Sequence, residues 1–131
     1  MKSKVAIMAS NGGLFDAYKV FNLATAAASM DQEVVIFFTF EGINLIHKQA
    51  NQQLELPAGK EHYQAGFEKA KVPTIPELVE IAQELGVKFI GCQMTLDLMG
   101  LESDALVDGI EVGGAVSFLE STKDAYVTLT F

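Results

Sequence analysis

The sequence predicts an α/β protein: a parallel sheet with helices on both faces. Three observations lead there. Short apolar runs rich in β-branched and aromatic residues recur at 5–9, 33–40 and 87–91, the pattern of strands buried on both sides. Stretches with apolar residues at helical spacing lie between them. Strands that alternate with helices connect by crossovers, and crossovers pair strands in parallel. At 131 residues, the chain reads as one domain over 1–131.

The elements follow in order. Residues 5–9 (Val-Ala-Ile-Met-Ala) form the first strand and stop at Ser10-Asn11-Gly12-Gly13, a turn signal. Residues 14–30 form a helix whose buried stripe is Ala17, Val20, Phe21, Ala24 and Ala28; the small residues let it lie close to a sheet. Residues 33–40 (EVVIFFTF) are the second strand. Residues 42–71 are the least regular part. Asn44-Leu45-Ile46 begins a short helix, 49–60 is polar with Pro57 and Gly59, and 62–71 forms another helical piece. A structureless loop of that length is unusual in a compact domain, so the segment is expected to pack on the surface, form an interface or cover a site.

Residues 74–85 make the clearest helix. Thr74 and Glu77 match a capping box and Gly86 suits the position just past the end. Ile75, Leu78, Val79, Ala82 and Leu85 form its buried stripe, with Glu77, Glu80 and Glu84 facing water. The third strand, 87–91, has Cys92 at its end. Residues 93–99 form a short helix stopped by Gly100, and 103–107 form another with Gly109 as its exit. A short strand at 110–112 turns at Gly113-Gly114 into a helix over 115–121, and 126–131 alternates as a fifth strand. No internal repeat, linker or second domain is visible.

Composition narrows the function. Half of the residues are apolar and the mean hydropathy is +0.26, which excludes intrinsic disorder. Nine lysines, no arginine and seventeen acids give a formal charge of -8. Nucleic-acid binding, which draws on basic patches and Arg forks, is not expected, and an anionic membrane surface would repel the chain. The run at 5–9 is too short for a signal-peptide core, and the apolar stretch at 34–38 is far too short to span a bilayer. One cysteine, Cys92, allows no internal disulfide and no multi-cysteine zinc site. The expectation is a cytoplasmic protein without metal or cofactor.

In open parallel sheets, sites collect at the carboxyl ends of the strands. That edge is expected to carry residues 10–13, 39–42 and 91–95 and Gly113-Gly114. A cysteine where a strand passes into a helix would have the amides of Gln93, Met94 and Thr95 aimed at its thiol, favouring the nucleophilic thiolate. A lone cysteine is also often a small buried hydrophobe. Asn11-Gly12-Gly13 could cradle an anion with its amides, or be only a tight turn; with Thr39 and Phe40 it makes a candidate pocket. His47 and His62 could fold over the edge or stand solvated on the surface. Asp97, Asp104 and Asp108 suit helix-surface and capping roles.

Three segments carry a resemblance. Gly91-Cys92-Gln93-Met94-Thr95-Leu96-Asp97-Leu98-Met99-Gly100 resembles the active-site stretch of the DsrE/DsrF-like sulfur-relay superfamily, and is most similar to its stand-alone DsrE-like branch. Asp108-Gly109-Ile110-Glu111-Val112-Gly113-Gly114 and Phe37-Phe38-Thr39-Phe40-Glu41-Gly42-Ile43-Asn44-Leu45 resemble two further stretches of that branch, in the same order. The resemblance spans the chain outside about 49–71. It departs at Ser10-Asn11-Gly12-Gly13-Leu14-Phe15-Asp16, where relatives often show a more charged turn. It implies a three-layer α/β/α fold with a five-stranded parallel sheet, a homo-oligomer, and a family cysteine that holds sulfane sulfur as a persulfide. That position is Cys92 here. It also implies exchange with a small TusA-like sulfur carrier or another persulfide donor or acceptor. Two other functions fit the residues: a small-ligand or nucleotide-binding module using the Asn11-Gly12-Gly13 turn, and a structural oligomer subunit with an inert Cys92.

Overall fold

A computed structural model describes residues 2–131. Five strands, β1 (Lys4–Ala9), β2 (Glu33–Phe38), β3 (Lys88–Cys92), β4 (Glu111–Gly113) and β5 (Val127–Thr130), form one sheet in the order β4-β3-β2-β1-β5. Every neighbouring pair is parallel. The chain builds outward from β1 to β4, then returns to place β5 on the free side of β1.

The two-residue period of a strand sorts the core onto two faces. Val5, Ile7, Ala9, Val34, Ile36, Phe38 and Phe89 point to one side, where helices α1 (Leu14–Ser29) and α3 (Ile75–Glu84) cover them. Phe21 of α1 sits among Phe38 and Phe89 with ring centroids 6.2 and 6.1 Å away. Ala6, Val35, Phe37, Ile90 and Cys92 point to the other side, where Phe118 of α5 (Ala115–Thr122) stacks on Phe37 at 5.0 Å. Each fully buried side chain of this size contributes about 1.5–3 kcal/mol, so the continuous apolar strands are what fix the three layers.

The predicted helices form with small differences. In α1 the buried alanine at the fifth stripe position is Ala27, with Ala28 half-buried. The Thr74–Glu77 capping box is present and Gly86 takes φ +88°. Leu85, expected in the buried stripe, is 44% exposed: it is the C-cap, beyond the last turn that lies on the sheet. β2 stops at Phe38 rather than 40 because Phe40 turns to φ +50° and starts a 3₁₀ helix, Phe40–Leu45.

The irregular segment resolves into that 3₁₀ helix, a second one at Ala50–Gln52, and helix α2 (Tyr63–Ala70). α2 has no buried residue of its own. It is held to α1 by aromatic contacts, Tyr63 on Phe15 and Phe67 on Tyr18, both with centroids 5.0 Å apart. The segment therefore packs on the start of α1. Among the described residues no helix is long and apolar enough to cross a membrane.

Candidate functional site

Register aligns the carboxyl ends of four adjacent strands: Ala9 pairs with Phe38, Phe38 with Gly91, and Cys92 with Gly113 of β4. Cys92 ends β3 and is the N-cap of α4 (Gln93–Met99), with extended backbone (φ -73°, ψ 115°). Its side chain turns inward with Ile90 and is 4% exposed.

Burial by itself pushes a thiol pKa up, because the charged form loses water. At Cys92 that push is outweighed, and the thiol lies below its ordinary value. The hydroxyl and amide of Thr95, the hydroxyl of Thr39 and the amide of Met94 all act on the sulfur. The neutral thiol makes no cap hydrogen bond of full geometry; these dipoles favour the thiolate rather than tie down the thiol. The amide of Gln93, expected to join them, does not. An N-cap side chain reaches the second and third helical amides, and Gln93 is the first. Gln93 instead donates from Nε2 to Asp97 Oδ1 at 2.8 Å, one turn on.

The hydroxyls come from different elements. Thr95 is fully buried and Thr39 nearly so, and their Oγ1 atoms stand 3.3 Å apart. Phe40 N–H donates to Thr95 Oγ1 at 2.9 Å. That bond holds Phe40 in a left-handed conformation that is costly for a bulky residue. Gly42 makes the turn possible: a Cβ there would overlap the carbonyl of Ala9. Phe40, Met94 and Met99 all project to the surface.

The expected pocket divides in two. Thr39 and Phe40 belong with Cys92. Gly12 and Gly13 instead line a groove of about 650 Å³ with Asp16, Glu41, Asn44 and Glu55; Asn11, Thr39, Phe40 and Cys92 do not line it. Beside the turn at 10–13 one helix-start amide is already bonded within the protein. Leu14 N–H, the first helical amide, donates to the Glu55 carbonyl at 2.9 Å. A Cβ on Gly13 would lie 3.3 Å from Asp16 Oδ2, so a carboxylate already stands over the turn. Gly12 is there for close approach, since a Cβ would come within 2.6 Å of the Glu41 carbonyl.

The histidines serve elsewhere. His47 Nδ1 accepts the amides of Gln49 and Ala50, both at 3.1 Å, and closes a turn. His62 lies beside Tyr63 on the α2 side, ring centroids 4.9 Å apart and tilted by 46°. Neither is among the groups acting on Cys92. Among the described residues no three of His, Cys, Asp and Glu converge as a metal site. Sequence reasoning missed the direct part of Thr39. Its signal lies in the Thr-Phe-Glu-Gly string that follows β2, where Gly42 allows a close approach to the end of β1.

Comparison with known proteins agrees with this architecture. The profile of the DsrE/DsrF/DrsH-like family matches residues 1–67 and 57–130. The sulfur carrier protein DsrE2 of Allochromatium vinosum is 33% identical, with 98% of each chain covered. The protein YrkE of Bacillus subtilis is 30% identical over 96% of this chain and 95% of its own. The crystal structure of YchN from E. coli shares the fold with a TM-score of 0.72 at 19% identity, each chain covered in full. With both ends of the chain matched by one profile and near-complete relatives at this identity, the chain belongs to the DsrE/DsrF/DrsH-like family.

Proposed function

We propose that this protein is a sulfur carrier that holds sulfane sulfur as a persulfide on Cys92 and passes it to a partner thiol. The observation that carries the reading is a buried cysteine at the strand end whose thiol is pulled below its ordinary pKa by hydroxyls and amides. The name of its Allochromatium relative supports it.

The chemistry balances without an oxidant. Cys92 thiolate attacks the outer sulfur of a donor persulfide. A bond forms between Sγ and that sulfur, the donor's S–S bond breaks, and the donor leaves as a thiolate. An acceptor thiolate then attacks the outer sulfur of Cys92-S-SH, and Cys92 leaves as a thiolate. A low-pKa thiol is a good leaving group in such exchange. With Cys92 the single cysteine, sulfur has to arrive from and leave to another molecule.

A small TusA-like carrier is the partner this reading takes, and the charge of -8 favours one with a basic docking surface. A homo-oligomer belongs to the same reading. Its support is the exposed Val116 and Leu119 on α5. A reducing compartment such as the cytoplasm would keep Cys92 available.

Intact-mass measurement after incubation with polysulfide tests the function. Cys92 should gain about 32 Da per sulfur atom, reversibly with dithiothreitol, and Cys92→Ser should gain none. A wild-type protein that never gains sulfur from several donors would sink the reading.

A further inference from the structure

We propose that the Thr39–Thr95 hydroxyl pair is a second functional element of the Cys92 site, presenting one shared hydrogen bond to the sulfur anion. The inference rests on the sulfur-carrier reading for the reaction it serves, and on proton counting for its geometry.

Phe40 N–H donates to Thr95 Oγ1 at 2.9 Å, so Thr95 is fixed there as an acceptor and has to spend its own proton elsewhere. A helical threonine ordinarily gives that proton to a carbonyl one turn back. Thr25 does so to Phe21 at 2.8 Å, and Thr122 to Leu119 at 3.0 Å. Among the described residues Thr95 makes no such bond. Thr39 Oγ1, 3.3 Å away, is the neighbour it meets, and either can be the donor. Two hydroxyls hold two protons, and the bond between them uses one. Whichever way that bond points, one proton remains. Thr39 follows Phe38, the register partner of Gly91, and Thr95 is the third residue of the helix that Cys92 caps, so both threonines flank the cysteine.

No charge competes for this role. The carboxylates on the elements around β3 are Glu33, Glu41, Asp97, Glu111 and Glu120, all exposed, with Glu77, Glu80 and Glu84 on α3, and none of them acts on the sulfur. Asp97 is held by Gln93, and Glu111 pairs with Lys88 at 3.2 Å. The hydroxyl pair is therefore a neutral source of stabilisation. It favours the thiolate that attacks and the same thiolate when it leaves, without binding an anion so firmly that sulfur cannot move on.

The Phe40 turn sets the direction of the shared bond. If Phe40 N–H did not occupy Thr95 Oγ1, the Thr95 hydroxyl could turn to the carbonyl three residues back, as Thr122 does to Leu119. The left-handed Phe40 thus keeps the donor pointed at sulfur.

The test is the pH profile of Cys92 alkylation by iodoacetamide, read by mass, for Thr39→Val, Thr95→Val and the double variant. Loss of one hydrogen bond to a charged group should raise the midpoint of the double variant by about one pH unit. Each single variant should move less than half as far, because the remaining hydroxyl turns to the sulfur. Thr39→Ser and Thr95→Ser keep the donor and should track the wild type, which separates the hydroxyl's role from a packing defect. A double-variant midpoint equal to wild type, with its melting curve intact, overturns the proposal, as do single shifts that simply add. Sulfur loading by polysulfide is scored separately on the wild type. A shifted midpoint with no loading would remove the carrier reading and leave the hydroxyl pair standing.

Discussion

After β1 the chain turns through residues 10–13 into α1; after β3 it turns at Cys92 into α4. Both are strand-to-helix turns on the same edge of one parallel sheet, and a helix start there presents amides without intrahelical partners. At the first turn the protein bonds one of them itself. The Glu55 carbonyl takes Leu14 N–H, and Asp16 and Glu41 bring carboxylates to the groove beside it. At the second, the amides of Met94 and Thr95 act on a sulfur. The difference lies in what the neighbouring chain supplies. The 50s segment folds over α1, whereas the end of β2 brings a threonine hydroxyl, not a carboxylate, to Cys92. Glycine-rich sequence at a strand end is thus a poor guide to chemistry, and the partner delivered by a distant segment is a better one.

Gly42 lets the chain leaving β2 cross the end of β1. Gly42→Ala places a Cβ on the Ala9 carbonyl. A clash with backbone should destabilise the protein by about 3 kcal/mol, measured by urea unfolding. It should also displace Thr39 and Phe40, and so raise the pH midpoint of Cys92 alkylation.

A third helix start supplies a calibration. α3 satisfies its amides with its own side chains, Thr74 and Glu77. Thr74→Ala should cost about 1 kcal/mol and leave the alkylation profile of Cys92 where it is. A change in that profile would mean that the strand-end site is not local.

A smaller effect comes from linkage. The folded thiol of Cys92 gives up its proton at lower pH than the thiol of the unfolded chain. Between the two values the unfolded state binds more protons, so stability rises with pH across that window. The contribution is fully present above the unfolded thiol's pKa and is lost as pH falls through the folded one. The difference in melting temperature between wild type and Cys92→Ser should therefore widen on the alkaline side of neutrality. A difference that narrows there would contradict the lowered pKa.

The least change is expected at the first turn. ATP or inorganic phosphate at millimolar concentration should leave the melting temperature unmoved, because the groove carries Asp16, Glu41 and Glu55 and its amide is already bonded. A ligand at a hundred times its Kd would add about 2.7 kcal/mol, so a clear upward shift would restore the nucleotide-binding alternative.

Much of this protein is determined by sequence alone. Continuous apolar strands such as EVVIFF are stable only when covered on both faces. Helices whose stripe, cap and stop agree, as in α3, form where local rules place them. The position of Cys92 at the end of β3 follows from the same local rules. What tertiary structure decided is which groups surround the sulfur. Thr39 and Thr95 are 56 positions apart and meet only because β2 and β3 are neighbours in register. Asn11-Gly12-Gly13 and Thr39-Phe40 lie on adjacent strand ends yet serve different surroundings, because the segment after Gly42 turns back over α1. Periodicity and capping are short-range and leave their mark within a few residues. Hydrogen-bond partners across strands depend on register and crossover, and those are settled only when the sheet closes.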